Sequence, residues 1–281
     1  MNDRQPKLLD AGPSERGWHR LESAIRCLRL YAYEQIAGIR FPISPPLVNG
    51  SLLHIGLAHL YRRRQATQNG EDPSQWFEPH EAVKELSRRN AHESPLWEAG
   101  VDVVLPALGA YEARWRGEDW KVLAVEEQLR AHVGEGKHLY TQRPDLIVES
   151  AQGRVFIIDH KSCYRITSKT LRQHILDGQF LGYQLFGHQL YGPRFGGVVV
   201  NRVKLSAPYG FDRTSVEPAP KALGDFTSLI STTEERIANC KDKEPDDYPP
   251  AFSNQTCWGK YGQCHAYEIC RFGQTNMQET V

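Results

Sequence analysis

Three residues near the middle of the chain have types and spacing suited to metal-dependent chemistry. Asp145 stands in the strand-forming run RPDLIVES, and Asp159 and Lys161 end the apolar run RVFIIDHK. Residues two apart on a strand point to the same face, so Asp159 and Lys161 share a side. A hairpin between the two strands would bring Asp145 beside them. Two neighbouring carboxylates favour a cation, and their hard oxygen atoms suit Mg²⁺ or Mn²⁺.

Such a cation would polarise a phosphodiester and lower the pKa of a bound water, while Lys161 could orient that water or stabilise the charge that develops on phosphorus. The pattern therefore predicts phosphodiester hydrolysis. Because the motif is short, an alternative is that Asp145 caps a turn and that Asp159 and Lys161 form a solvated strand end.

The elements that must position these residues predict an α/β core. Residues 17–116 have a helical pattern that FPISPP interrupts, with Pro106 expected to kink or break its last helix. From Trp120 the period changes to two, which predicts strands over KVLAVEEQLRAHV, HLYTQRPDLIVES and RVFIIDHK, the last two joined by a turn at 151–153. A helix over 169–190, a strand in GGVVVNRVKL and a helix beyond Lys221 follow.

Three regions are expected to form one compact domain. They are an N-terminal helical region (1–118), a core (119–206), and a C-terminal helix with a cysteine-containing tail (207–281).

Composition limits the classes of function. The chain has 34 Lys plus Arg and 34 Asp plus Glu, so its net charge is near zero and any nucleic-acid surface must be local. The polar N-terminal run and the absence of a long apolar run predict no membrane span and a cytoplasmic location. Six cysteines without a secretion signal indicate metal binding or buried thiols rather than disulfides.

Two predicted helices add further candidates. Gln179 and Tyr183 are four residues apart, so they share a helix face and could reach the metal or the substrate phosphate together. His54, four residues after Gly50, could supply an imidazole ligand. The alternatives are a buried tyrosine beside a surface glutamine, and an ordinary helical histidine.

The motif series resembles that of RecB-family nucleases in the PD-(D/E)XK superfamily, most closely the single-domain prokaryotic and bacteriophage-type exonucleases. Its members are, in order, Gly50 with His54, Asp145, Asp159-His160-Lys161, and Gln179 with Tyr183. The resemblance implies a restriction-endonuclease-like core, with a mixed central sheet flanked by helices. It also implies an enzyme that hydrolyses DNA, from linear ends, with Mg²⁺ or Mn²⁺.

The same resemblance assigns roles to these residues. The metal would be held by His54, Asp145, Asp159 and the backbone carbonyl of His160, and Lys161 would be the catalytic lysine. Gln179 and Tyr183 would support the site and contact DNA.

Members of this family often carry a glutamate on the preceding strand. Alternation turns only one of Glu126 and Glu127 inward. We prefer Glu126 as a further metal ligand because Glu127 shares its face with Leu123, Val125 and Leu129. A surface pair is the alternative.

Three cysteines, Cys257, Cys264 and Cys270, cluster in the tail, and Cys27 lies far upstream. Iron-sulfur members of the family place their first cysteine in this way, so the resemblance implies a [4Fe-4S] cluster on these four residues. The first C-terminal gap is longer here than the C-x-x-C pair of many related sequences.

Other interpretations of the cysteines remain open. Zinc suits four thiolates, and His265 could replace one of them. Four unrelated buried thiols are a further alternative, and Cys163 and Cys240 are expected in the core.

The most concentrated basic groups, which could attract a phosphate backbone, are Arg62-Arg63-Arg64 and Arg88-Arg89. Solvated helix ends explain both groups equally well. The preferred hypothesis is a DNA exonuclease with a possible recombination or repair partner protein. The alternatives are a non-catalytic DNA-binding or recombination-partner protein of the same fold, and a zinc-stabilised adaptor.

Overall fold

The computed structural model describes residues 6–168, 173–217, 220–259 and 262–273, and it has a mixed α/β architecture. The α-helices are α1 (Trp18–Arg26), α2 (Leu28–Tyr31), α3 (Pro45–Gln68), α4 (Pro79–Asn90), α5 (Leu96–Arg114), α6 (Gly178–Tyr191), α7 (Pro220–Ala238), α8 (Asn254–Cys257) and α9 (Tyr267–Phe272). The strands are β1 (Lys121–Val125), β2 (Leu129–Val133), β3 (His138–Gln142), β4 (Leu146–Glu149), β5 (Val155–Cys163), β6 (Phe195–Lys204), β7 (Gly210–Val216), β8 (Trp258–Gly259) and β9 (Gly262–Gln263).

Five strands form the central sheet in the order β1-β4-β5-β6-β7. Strand β5 pairs with β6 in parallel, and the other neighbours are antiparallel. The parallel step needs a crossover connection, which α6 provides. The predicted turn at 151–153 is confirmed, because β4 and β5 form an antiparallel hairpin there and Gly153 adopts the φ of +75° that such turns favour. The predicted mixed sheet flanked by helices is also confirmed.

Alternation along the strands divides the apolar side chains between two layers. Ile158 packs in the cluster that contains residues of α3 and α5, whereas its neighbour Ile157 packs with Phe180 of α6. All three side chains are fully buried. Because a fully buried side chain of this size stabilises the fold by about 1.5–3 kcal/mol, both layers hold the sheet firmly.

Backbone contacts divide the chain into two units. The first unit contains the residues up to 14, residues 43–130 and residues 141–223, and it holds the central sheet. The second unit contains residues 15–42, residues 131–140 and the residues from 224 onward. Within the second unit, Arg20 of α1 donates two hydrogen bonds to Glu234 of α7 (2.6 and 3.1 Å).

Several element boundaries differ from the sequence-based predictions. The two long predicted strands are each interrupted, so that they become β1 with β2 and β3 with β4. The first break follows from the left-handed backbone of Glu126 (φ 52°), and the second contains Pro144, which has no N–H to donate to a ladder. Helix α5 continues through Pro106, where we expected a kink or a break.

The predicted helix over 169–190 is shorter in the structure. Residues 169–172 lie outside the described residues, and α6 begins at Gly178, where the Asp177 side chain accepts the Gln179 N–H (2.9 Å) as an N-cap. Strand β7, which the sequence did not predict, completes the edge of the sheet. In the described part of the chain, no helix combines the length and the apolar character needed to cross a membrane.

A buried histidine of α3 holds the N-terminal segment in place. His59 Nε2 accepts the Leu9 N–H (3.0 Å), and Nδ1 donates to the Phe77 carbonyl (3.2 Å), so the neutral ring satisfies both neighbours. Burial lowers the pKa of His59 to about 4. Protonation would remove the acceptor that Leu9 needs.

We expect this histidine to make the fold less stable in mild acid. Its folded-state pKa lies below the unfolded value of about 6.5, so the free energy of unfolding falls between about pH 6.5 and pH 4, by up to about 1.4 kcal/mol per pH unit. Urea titrations across this range should show a shallower pH dependence for His59→Gln. The exposed His188→Gln is the control, and an unchanged slope in His59→Gln would contradict the assignment.

Candidate active site

Three carboxylates meet at one end of adjacent strands of the central sheet. Glu126 follows β1, Asp145 precedes β4, and Asp159 lies in β5. The antiparallel pairing of these strands brings the three positions next to one another, and the Glu126 N–H donates to the Asp145 carbonyl (3.2 Å). The sheet register therefore creates a compact acidic site in the first unit.

Glu126 reaches this site through an unusual backbone conformation. Its φ of 52° lies in the left-handed region that non-glycine residues rarely adopt, and this conformation ends β1. One ligand atom each of His54, Glu126 and Asp145 lies within 4.8 Å of the other two. The neighbouring Glu127 is exposed. The structure thus brings Glu126, the preferred glutamate of the two, to the site.

Asp145 is held by two donors. Its Oδ1 lies 3.4 Å from His54 Nδ1, and its Oδ2 accepts the His160 N–H (2.6 Å). Burial would raise the pKa of Asp145, but His54 lowers it below its usual range. Burial likewise would lower the pKa of His54, yet Asp145 raises it to about 9. The two side chains therefore form an ion pair at neutral pH.

Asp159 belongs to a second hydrogen-bonded group on the face toward α6. Its Oδ2 lies 2.8 Å from Lys161 Nζ, and its Oδ1 accepts from Gln179 Nε2 (2.9 Å) and from the Tyr183 hydroxyl (3.3 Å). Lys161 also donates to Gln179 Oε1 (2.9 Å), and Gln179 Nε2 donates to the Tyr183 oxygen (2.9 Å). The structure thus brings these four side chains together, and their roles stay a prediction.

The electrostatics of the site favour a bound cation. Burial, together with the nearby Asp145, raises the pKa of Asp159 to about 6 and that of Glu126 well above its usual value. The ionised forms of Asp159 and Glu126 are therefore destabilised in the folded protein. An imidazole nitrogen and several carboxylate oxygens form a donor set that suits Mg²⁺ or Mn²⁺. The residues present thus fit the metal that the sequence predicts.

His160 contributes its side chain to the opposite face of the sheet. Its ring is stacked on Tyr61 of α3 (centroids 5.8 Å apart, 16° between planes) and lies edge-on to His54 (6.3 Å). Asn201 Nδ2 lies 2.6 Å from His160 Nδ1 and donates to the Tyr111 hydroxyl (2.9 Å). These contacts fix β5 against the helix that carries His54.

Arg213 extends this buried polar network. Its guanidinium donates to the hydroxyls of Tyr61 and Tyr111 (2.8 Å each) and to Glu118 (2.6 Å). It also lies over the Trp115 ring (3.6 Å). The sequence analysis did not find this network. One available signal was Asn201, an amide within the otherwise apolar start of VVVNRVK.

The predicted DNA-contacting arginines lie in α3 beyond His54, and all three have partners in the first unit. Arg62 donates to Gln65 (2.5 Å), Arg63 to two loop carbonyls (2.8 and 2.9 Å), and Arg64 to Glu118. Their contact with DNA stays a prediction.

The four predicted cluster cysteines all belong to the second unit. Burial raises the pKa of Cys264, and the nearby Cys257 and Cys27 raise it further. Burial also raises the pKa of Cys270, whose neighbours include Cys27 and Cys264. The Cys264 N–H donates to the Cys257 carbonyl (2.8 Å). The four thiols thus share one neighbourhood.

Around the cysteines, Cys27 and Cys264 pack against a small core that includes Tyr33. His265, the alternative zinc ligand, instead pairs with Glu34 (2.8 Å). Of the two cysteines expected in the core, Cys240 is buried and Cys163 is partly buried.

We expect Glu126→Gln to make the protein more stable without metal and to reduce its stabilisation by Mn²⁺. Because the fold raises the pKa of Glu126, the variant should be more stable than the wild type at pH 8 without metal. Mn²⁺ at about 100 times its Kd should stabilise the wild type by about 2.7 kcal/mol and the variant by less. Thermal unfolding measures both effects. The exposed Glu127→Gln is the matched control, and equal Mn²⁺ responses in the two variants would contradict the prediction.

Comparison with known proteins gives a family match and several structural likenesses, among them these two. A structure described as a putative exonuclease from Eubacterium rectale shares 13% identity, covers 89% of this chain and 86% of its own, and has a TM-score of 0.47. A structure described as SSO0001 shares 15% identity, covers 76% and 84%, and has a TM-score of 0.36. Neither likeness is close enough to bear on activity. No curated protein sequence matches the chain.

The family match is the comparison that assigns the chain to a family. The model of the PD-(D/E)XK nuclease superfamily matches residues 18–271, a span that contains every residue of the acidic site. The chain belongs to the PD-(D/E)XK nuclease superfamily.

Proposed function

We propose that the protein is a Mg²⁺- or Mn²⁺-dependent deoxyribonuclease of the RecB type that acts as an exonuclease on linear DNA ends. One observation carries the proposal: Asp159, Lys161 and Gln179 form a closed hydrogen-bonded group directly beside the ligand set of His54 and Asp145. A partly exposed lysine held between a carboxylate and an amide supports a catalytic protein rather than one that only binds DNA.

In this proposal the metal ligands are His54, Glu126, Asp145, Asp159 and the backbone carbonyl of His160. When bound, Mg²⁺ or Mn²⁺ would polarise the scissile phosphodiester and lower the pKa of the attacking water. The His160 N–H fixes one oxygen of Asp145 and so orients the other toward His54. The ligand set is therefore preorganised by the backbone as well as by side chains.

Lys161 has the position of the catalytic lysine. Burial would lower its pKa, but the Asp159 and Asp145 carboxylates raise it, so the ammonium stays charged at neutral pH. Its side chain is 31% exposed, so it can reach a substrate phosphate while Asp159 and Gln179 fix its direction. The ammonium would donate to the attacking water or to the phosphate oxygen that gains charge in the transition state.

Gln179 and Tyr183 orient the carboxylate of Asp159. Both donate to its Oδ1, which directs Oδ2 toward Lys161. Tyr183 is 2% exposed, so we assign it to support of the site, and we assign DNA contact to the partly exposed Gln179.

We further propose that Cys27, Cys257, Cys264 and Cys270 hold a [4Fe-4S] cluster. Their shared neighbourhood in the second unit and the order of the motifs support this assignment. Thiolate ligation suits such a cluster, and it would join the first helices of the unit to the tail.

Replacement of the proposed catalytic lysine tests the activity. Lys161→Met should reduce Mg²⁺- or Mn²⁺-dependent digestion of linear DNA by about 10²–10³-fold, because it removes the ammonium that stabilises the transition state. End-labelled linear substrates and closed circular DNA measure rate and end dependence together. Lys204→Met is the matched control. Digestion that survives Lys161→Met would overturn the proposal, and attack on closed circles would overturn the exonuclease assignment.

Metal analysis tests the cluster. Protein purified without oxygen should contain iron and acid-labile sulfide in equal amounts, about four of each per chain, and Cys264→Ser should lose both. Cys163→Ser, in the first unit, should keep them. Zinc in place of iron and sulfide would refute the assignment and favour a closed zinc site.

A further inference from the structure

A groove of about 780 Å³ opens beside the acidic site within the first unit. Its walls are the N-terminal segment 8–13, one face of α3 and the end of α4, with Trp97 of α5. The His59 contact with Leu9 holds the segment that forms the first wall. We call this feature the His54 groove, because His54 lines it.

The groove and the acidic site are continuous along α3. Leu47, Gly50, Ser51 and His54 line the groove, and their spacing places them on one helix face. Seven residues of α-helix separate Leu47 from His54, or about 10 Å. A Cβ at Gly50 would lie 3.5 Å from Ser162 Oγ, one residue beyond Lys161. The groove therefore runs from the acidic site, at His54, toward Leu47.

The chemistry of the walls indicates what the groove can bind. Leu8, Leu86 and Trp97 line it, and Leu47 is 59% exposed on its wall. Besides His54, two charged side chains contribute to the lining. Arg89 is half exposed and shares Glu85 with Arg88, and the Asp10 carboxylate is paired with Arg143 (3.3 Å). A duplex presents phosphates and sugars to such a surface, because its bases are stacked inside. An unpaired strand can turn its bases toward apolar side chains.

We propose that the His54 groove binds an unpaired nucleotide of the strand that is being cleaved, next to the scissile phosphate. The base lies against the apolar wall at Leu47, and the backbone passes on the Arg89 side. The inference rests on the proposed nuclease activity and makes it more specific: the end that reaches the metal site is single-stranded or frayed. The volume of the groove is that of a pocket for a small ligand, which suits one or two nucleotides.

The test compares Leu47→Glu with Leu190→Glu, a substitution of a leucine with similar exposure (50%) at the end of α6. Kinetics are measured with Mn²⁺ on a single-stranded oligonucleotide and on a blunt duplex. Leu47→Glu removes the apolar contact with the base and adds a negative charge beside the backbone, so KM for the single strand should rise by at least about fivefold. Leu190→Glu should leave KM as in the wild type. Equal KM values for Leu47→Glu and the wild type would overturn the inference.

A second measurement uses the wild-type protein and so does not depend on how a variant folds. Single-stranded substrates with one abasic nucleotide at successive positions should show a single position, next to the cleaved bond, at which KM rises. Equal KM values at every position would overturn the inference. Failure of the proposed function is distinguishable, because the wild type would then cleave none of these substrates with Mg²⁺ or Mn²⁺.

Discussion

Repulsion among carboxylates in a small buried volume is the constraint on which the rest of this structure depends. Glu126, Asp145 and Asp159 meet at the ends of three adjacent strands, where water cannot screen them fully. The fold places two cationic side chains, His54 and Lys161, against them. A divalent metal would replace the charge of the imidazolium beside these carboxylates, because His54 must release its proton to bind the metal. The affinity of the site for metal and its cost to the fold thus have the same origin.

The two faces of β5 hold the acidic site through different contacts. The alternation that turns Asp159 and Lys161 toward α6 also turns His160 toward α3, the helix of His54. On the first face, Gln179 and Tyr183 orient the carboxylate; on the second, the network around Asn201 and Arg213 holds the sheet against the helix. Because both networks are hydrogen-bonded and mostly buried, the geometry between them resists small displacements.

The sequence predicted much of the site because its main signals are local. Two-residue alternation placed Asp159 and Lys161 together, and the helical spacing of Gln179 and Tyr183 was sufficient to align them. Of Glu126 and Glu127, the sequence analysis preferred Glu126, which the structure brings to the site. The reason for that preference, however, was wrong. The argument assumed a continuous strand, whereas the left-handed backbone of Glu126 ends β1.

The rest depends on contacts between distant parts of the chain. Arg213 meets Tyr61 across 152 residues and Tyr111 across 102, and no local pattern marks such partners. The His54 groove likewise requires four separate segments to come together. For the basic residues of α3, the prediction of DNA contact rested on charge alone, which does not reveal the intramolecular partners that these arginines have in the structure.

The second unit is formed by distant parts of the chain, so it can be completed only late in synthesis. Arg20 of α1 finds its partner Glu234 only after another 214 residues of chain have been synthesised. At about 5–20 residues per second, this delay amounts to roughly 10–40 s. During that time Leu30 of α2 also lacks Ile269, against which it packs in the folded protein. A ribosome-associated chaperone that shields this N-terminal segment would therefore act on a part of the chain whose partners are synthesised last.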